Sequence, residues 1–100
     1  MVFNGTTATN ATSEALLTAA DIVSFSIANK SGGAVTASVG LVYGSSITYL
    51  LYNEPLGGGT DPNNYVYLGG RITIPVNYSI FVSVSGTCDY YFTVKKYATT

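Results

Sequence analysis

From Asp21 onward the chain alternates apolar and polar residues with period two, the signature of half-buried strands. In "DIVSFSIAN" the alternation places Val23, Phe25 and Ile27 on one side, with Ser24, Ser26 and Ala28 on the other. "NKSGG" then supplies a turn with two glycines able to take positive φ. "AVTASVGLVY" sets Val35, Ala37, Val39, Leu41 and Tyr43 against Thr36, Ser38 and Gly40. After "GSS", "ITYLLYN" has Ile47, Tyr49 and Leu51 on one face and Leu50 and Tyr52 on the other. Both faces of that strand are apolar, so it is expected to be covered on both sides.

"EPLGGGTDPNN" reads as a loop by its Gly, Pro and Asn content. "YVYLGGRITIPVN" reads as two short strands around Gly69-Gly70, with Pro75 confined to a strand end or edge. In "YSIFVSVSG", Tyr78, Ile80, Val82 and Val84 point inward, and Phe81 is the apolar exception on the outer face. "CDYYFTVKKY" closes the chain with Cys88, Tyr90, Phe92 and Val94 inward. About seven strands, short turns and no long helical pattern predict an all-β, antiparallel sandwich or small barrel, jelly-roll or immunoglobulin-like. Residues 1–20 show little alternation. "SEALLTAA" suits one or two helical turns capped by Ser13, and "TTAT" suits an extended segment. This stretch is expected to form an arm, or a loosely held first strand, ahead of a sandwich domain at 21–100, ordered by a tether or partner.

Length and composition sharpen this picture. One hundred residues fit one small domain, which buries roughly 60–65% of its extended surface without staples. Cys88 stands alone, so no intrachain disulfide forms, and the N-terminal residues read as neither a signal peptide nor a membrane helix. A reducing cytoplasm is the expected place of folding. Charged residues make up 9% of the chain and the net charge is −1, against about 25% charged residues in ordinary soluble domains. Four basic residues cannot neutralise a run of phosphates, so nucleic acid is not an expected partner. Two readings fit the scarce charge: a neutral domain solvated by Ser and Thr, or a subunit covered by its neighbours. A nearly neutral surface favours association, and so the second.

The candidate chemistry is thin. With no histidine, the commonest general base and metal ligand is missing. Glu14, Asp21, Glu54, Asp61 and Asp89 are dispersed and lie mostly beside turns, where a solvated role suits them. Cys88, on an inward register with no imidazole to activate it, reads as a buried structural thiol. Asp61, Asn63 and Asn64 offer oxygens to a calcium ion, but one carboxylate is a poor set, and a mobile loop tip is the simpler reading. No phosphate cradle, metal or cofactor is expected. Asn-X-Ser/Thr matches at Asn4, Asn10, Asn29 and Asn77 follow from the abundance of Ser and Thr. The nine tyrosines offer large contact areas with a polar tip, suited to core, to protein contacts or to stacking on sugars.

The succession "IANKSGGAVTASVGLVYG", "YLLYNEPLGGG" and "RITIPVNYSIFVSVSG…YYFTV", spanning residues 21–95, resembles the small β-sandwich virion proteins of tailed bacteriophages. The likeness is to capsid decoration, or cement, proteins and related tail components. It implies a non-enzymatic protein made in the host cytoplasm and carried on the virion. There it would act as a homo-oligomer, a trimer by preference, that clamps neighbouring major capsid proteins, with no membrane or nucleic-acid partner. The expected subunit and capsid contacts are Phe3, Leu16, Leu17, Tyr52, Tyr65, Tyr67 and Phe81. The alternative is a carbohydrate-binding module, with Tyr65 and Tyr67 as stacking platforms, or a tail or neck component.

Overall fold

The computed structural model describes residues 2–7, 12–15 and 19–97, without the side chains of 7 and 12–15. Its strands are β1 (Val2–Thr7), β2 (Thr12–Ala15), β3 (Ala20–Asn29), β4 (Val35–Tyr43), β5 (Ser46–Leu56), β6 (Tyr65–Ile74), β7 (Ser79–Val84) and β8 (Cys88–Lys96). All pairings are antiparallel. Four of them, β1–β8, β2–β7, β3–β6 and β4–β5, are the rungs of one long hairpin whose tip is the turn at Gly44. Rolling that hairpin up adds the pairings β3–β8 and β4–β7. The result is two four-stranded sheets, in the orders β1-β8-β3-β6 and β2-β7-β4-β5. This is the strand order of a jelly roll. The expected antiparallel sandwich is what the chain forms, and residues 65–74 run as one strand instead of two.

The core fills the space between the sheets from the inward positions of both. β4 gives Val35, Ala37, Val39 and Leu41, and β7 gives Ile80, Val82 and Val84. β8 gives Cys88, Tyr90, Phe92 and Val94. These are the positions that the alternation assigns, except that Tyr43 is exposed and lies with its ring 5.1 Å from Tyr78. An aromatic row crosses three strands of one sheet. Phe3 pairs in register with Phe92, which pairs with Phe25, and the Phe25 and Phe92 rings stack at 4.9 Å.

Of the two forms expected for the N-terminal stretch, an arm or a first strand, its described residues take the strand. β1 borders β8 and β2 borders β7, one in each sheet. Phe3 is 8% exposed and packs against Tyr90 and Phe92 at 4.9 and 5.5 Å, so β1 is a core strand. The reason is physical: without β1 the free edge of β8 and the aromatic row would face water. The helical turns suggested for "SEALLTAA" give way over its first residues to β2, and 16–18 lie outside the described residues.

β3 departs from simple alternation. Ile22 and Ser24 face the adjacent residues Val94 and Thr93, so Val23 is an extra residue, a β-bulge. The bulge shifts the phase, burying Ile22 completely and leaving Val23 46% exposed, the reverse of the expected order. Opposite it, β6 accommodates the distortion at Gly70, whose φ of 107° is open to glycine and costly for other residues.

Candidate functional site

The two outer faces of the sandwich are chemically unlike. On the β2-β7-β4-β5 sheet, the residues alternating with the core positions point outward: Ser79, Phe81 and Ser83 from β7, Thr36, Ser38, Gly40 and Val42 from β4. Phe81, Gly40 and Tyr49 form one transverse row, and Ser79, Val42 and Ile47 the next. Gly40 is there for close approach. A Cβ at this position would sit 3.0 Å from both Ile47 Cγ2 and the Thr48 carbonyl oxygen, so only glycine lets Ile47 lie across β4 without displacement.

Two irregularities in β5 complete this face. Gly40 pairs with Tyr49 and Val39 with Leu51, which makes Leu50 an extra residue. Ala37 then pairs with Glu54, so Tyr52 and Asn53 together oppose Ser38, and Asn53 takes a φ of 49°. The Ser38 hydroxyl bridges the distortion, accepting from the Asn53 N–H at 2.9 Å and donating to Asn53 Oδ1 at 3.3 Å. Tyr49 and Tyr52 are three apart and would lie on opposite sides of a regular strand. The bulge brings them to one side, edge to face at 4.7 Å. Tyr52 is 66% exposed, Tyr49 and Ile47 each 42%. β5 is an edge strand, and among the described residues nothing covers its outer face at Ile47, Tyr49 and Tyr52, where cover on both faces was expected. Among the described residues this outer face carries no charged side chain.

The opposite face, on β1-β8-β3-β6, is polar and aromatic. Asn4, Tyr91, Ser26 and Tyr67 form one transverse row, and Thr6, Asp89, Ala28 and Tyr65 the next. Asp89 Oδ1 accepts from the Thr6 hydroxyl and lies 3.5 Å from Lys30 Nζ. A groove of about 330 Å³ opens over Asn4, Thr6, Ser26, Ala28, Asp89 and Tyr91.

The expected contact residues therefore separate. Tyr52 and Phe81 share the uncharged face. Tyr65 and Tyr67 lie on the polar one, Phe3 is in the core, and Leu16 and Leu17 lie outside the described residues. Ile47, Val42 and Tyr49, which complete the uncharged patch, and Tyr91, which walls the groove, escape sequence reasoning. Period two groups Ile47 with Tyr49, and the β5 bulge then hides that Tyr52 joins them.

Asp21, Asp61 and Cys88 have structural surroundings, with Asp21 Oδ1 buried and without a hydrogen-bond partner among the described residues. Asp21 is buried, its Oδ2 accepting from the Tyr97 hydroxyl and lying 3.0 Å from Arg71 Nε. The Tyr97 hydrogen bond holds the Asp21 carboxyl below its ordinary value against the opposing effect of burial, with help from Thr73, Arg71 and Lys95. Asp61 accepts from the Asn63 N–H at 2.8 Å, a local turn bond. The loop around it is anchored where a mobile tip was expected: Gly57 N–H donates to Asn63 O at 3.0 Å and Gly59 N–H to Ser31 O at 3.3 Å. Burial, then the neighbouring Asp89 charge, pushes the Cys88 thiol up, away from the reactive thiolate. No group of three or more metal-ligating side chains occurs among the described residues. No protein-family model, curated protein or solved structure matches the chain.

Proposed function

We propose that the chain is a non-enzymatic structural protein of a tailed-phage virion, one that decorates and stabilises the capsid by binding across joints between major capsid proteins, as a homotrimer. The observation that carries this reading is the uncharged outer face of β2-β7-β4-β5, where Ile47, Tyr49 and Tyr52 stand exposed on the edge strand β5 and the half-buried Phe81 shares the transverse row of Tyr49. Contiguous apolar patches mark interaction surfaces, and tyrosine and phenylalanine are favoured at their centres. The jelly roll itself is an architecture that viral capsid subunits use, although lectins use it too. A three-fold ring has heterologous contacts, so the patch on one copy meets a different surface on the next.

Stabilisation on this reading is mass action. A protein that binds the assembled lattice and not its separated subunits shifts the equilibrium toward the lattice, and three linked copies gain by avidity. The test pairs light scattering with capsid co-sedimentation. The wild type should run at three times the 10.5 kDa chain mass and pellet with capsids. Tyr52→Lys combined with Tyr49→Lys should leave the fold intact, run as a monomer and stay in the supernatant. A wild-type monomer that ignores capsids, or a double variant that still trimerises and pellets, refutes the reading.

A further inference from the structure

We propose that the groove on the opposite face, over β1, β8 and β3, is a binding site for a neutral saccharide. The proposal does not rest on the docking face, which lies on the other sheet. Its geometry comes from the shorter side chains of β3 and β1 on either side of the larger ones of β8. Ser26 and Ala28 of β3 lie on one side of Tyr91 and Asp89, and Asn4 and Thr6 of β1 lie on the other, in the same two transverse rows. The groove's volume of about 330 Å³ lies at the lower end of the range of small-molecule sites.

The lining selects the class of ligand. Tyrosine rings present an apolar face and a hydroxyl, which matches a pyranose with its C–H face and its rim of hydroxyls. Asn4 offers both donors and an acceptor, Thr6 and Ser26 each offer a hydroxyl, and Asp89 offers carboxylate oxygens. Thr6 and Lys30 both engage Oδ1 of Asp89, and Oδ2, which has no side-chain partner among the described residues, is the oxygen suited to a ligand hydroxyl. Lys30 beside Asp89 also balances the local charge. A phosphate-bearing ligand would meet the carboxylate with one cation to offset it, so the site suits a neutral molecule and disfavours nucleic acid.

The test is a two-dimensional ¹H–¹⁵N NMR titration of the full chain with maltose, cellobiose, lactose and N,N′-diacetylchitobiose, each to about 50 mM, a range that captures millimolar affinities. At least one disaccharide should give saturable shifts centred on Asn4, Thr6, Ser26, Asp89 and Tyr91. Tyr91→Ala and Asp89→Asn should each weaken that binding at least tenfold. Tyr91 is 48% exposed, and the dispersion of the same spectra reports whether each variant is folded. Tyr52→Ala, on the other face, should leave the affinity unchanged. Absence of saturable shifts with all four sugars overturns the proposal, as do shifts that map elsewhere or that survive both groove substitutions.

Discussion

Replacing Asn29 should reveal how the loops at one end of the sandwich are held. Asn29 is the last residue of β3 and is buried. Its side-chain amide donates to the carbonyls of Gly33 at 2.9 Å, Gly57 at 3.0 Å and Leu56 at 3.3 Å. Its Oδ1 accepts from the Ser31 N–H at 2.8 Å and the Ser31 hydroxyl at 2.7 Å. One side chain thus closes the β3–β4 turn and ties it to the start of the β5–β6 loop. In Asn29→Ala the buried Leu56 carbonyl loses its donor, a cost of about 1–3 kcal/mol, while the part-exposed groups recover water and lose about 0.5–1.5 kcal/mol net. The sum, about 2–4 kcal/mol, is a large share of a total stability of roughly 5–15 kcal/mol. Urea denaturation should show a lowered midpoint with an unchanged slope. A loss below about 1 kcal/mol would mean that the bonds carry little of the fold, contrary to this reasoning.

Asn29→Asp adds a test with a sign. It keeps the acceptor for Ser31 but turns a carboxylate toward three carbonyls, which raises the folded-state pKa of the new carboxyl above its unfolded value. The native state then binds the proton more tightly. The stabilising contribution is fully present below the unfolded pKa and is lost as pH rises through the folded one. The variant should therefore gain stability on acidification relative to wild type. Equal stability of the two proteins at neutral pH would show that the amide does not donate as assigned.

Three further outcomes follow. Phe3→Ala should cost about 3 kcal/mol in denaturant melts because it empties one end of the aromatic row, whereas a free arm would tolerate it. Asp21 has a lowered folded pKa, so its stabilisation is present above the unfolded value and is lost as pH falls through the folded one. Tyr97→Phe, which removes the chief cause of that shift, should move the acid-unfolding midpoint to higher pH, as read by near-ultraviolet circular dichroism. Val82→Asp should unfold the chain or lower its stability by several kcal/mol, since Val82 is fully buried. Ser83→Asp, one residue on and facing outward, should cost under about 1 kcal/mol in the isolated subunit; equal tolerance of both would show the assigned β7 register to be mistaken.

The strands most regular in sequence were the most legible. Apart from Tyr43, β4, β7 and β8 bury the residues their alternation assigns, because the extra residues lie in their partners β5 and β3 and leave their own period unbroken. β3 and β5 were harder, since an extra residue reverses the phase without any mark in composition: Val23 looks like its neighbours Ile22 and Phe25. β1 was hidden for another reason. Its partner, β8, lies at the far end of the chain, and "VFNGTT" buries one large side chain, Phe3, too few for a period to show. The uncharged face was half legible. Phe81 stood out as an apolar residue on a polar register, but that Tyr49 and Tyr52 share its face depends on the β5 bulge, and that β5 is an edge depends on the roll of the whole hairpin.

Cryo-electron microscopy of phage capsids incubated with the chain tests the proposed function most directly. Density for three copies is expected at the three-fold positions of the shell, with Ile47, Tyr49, Tyr52 and Phe81 buried in subunit contacts. Capsids that lack the chain, or copies bound with that face open to solvent, would contradict it.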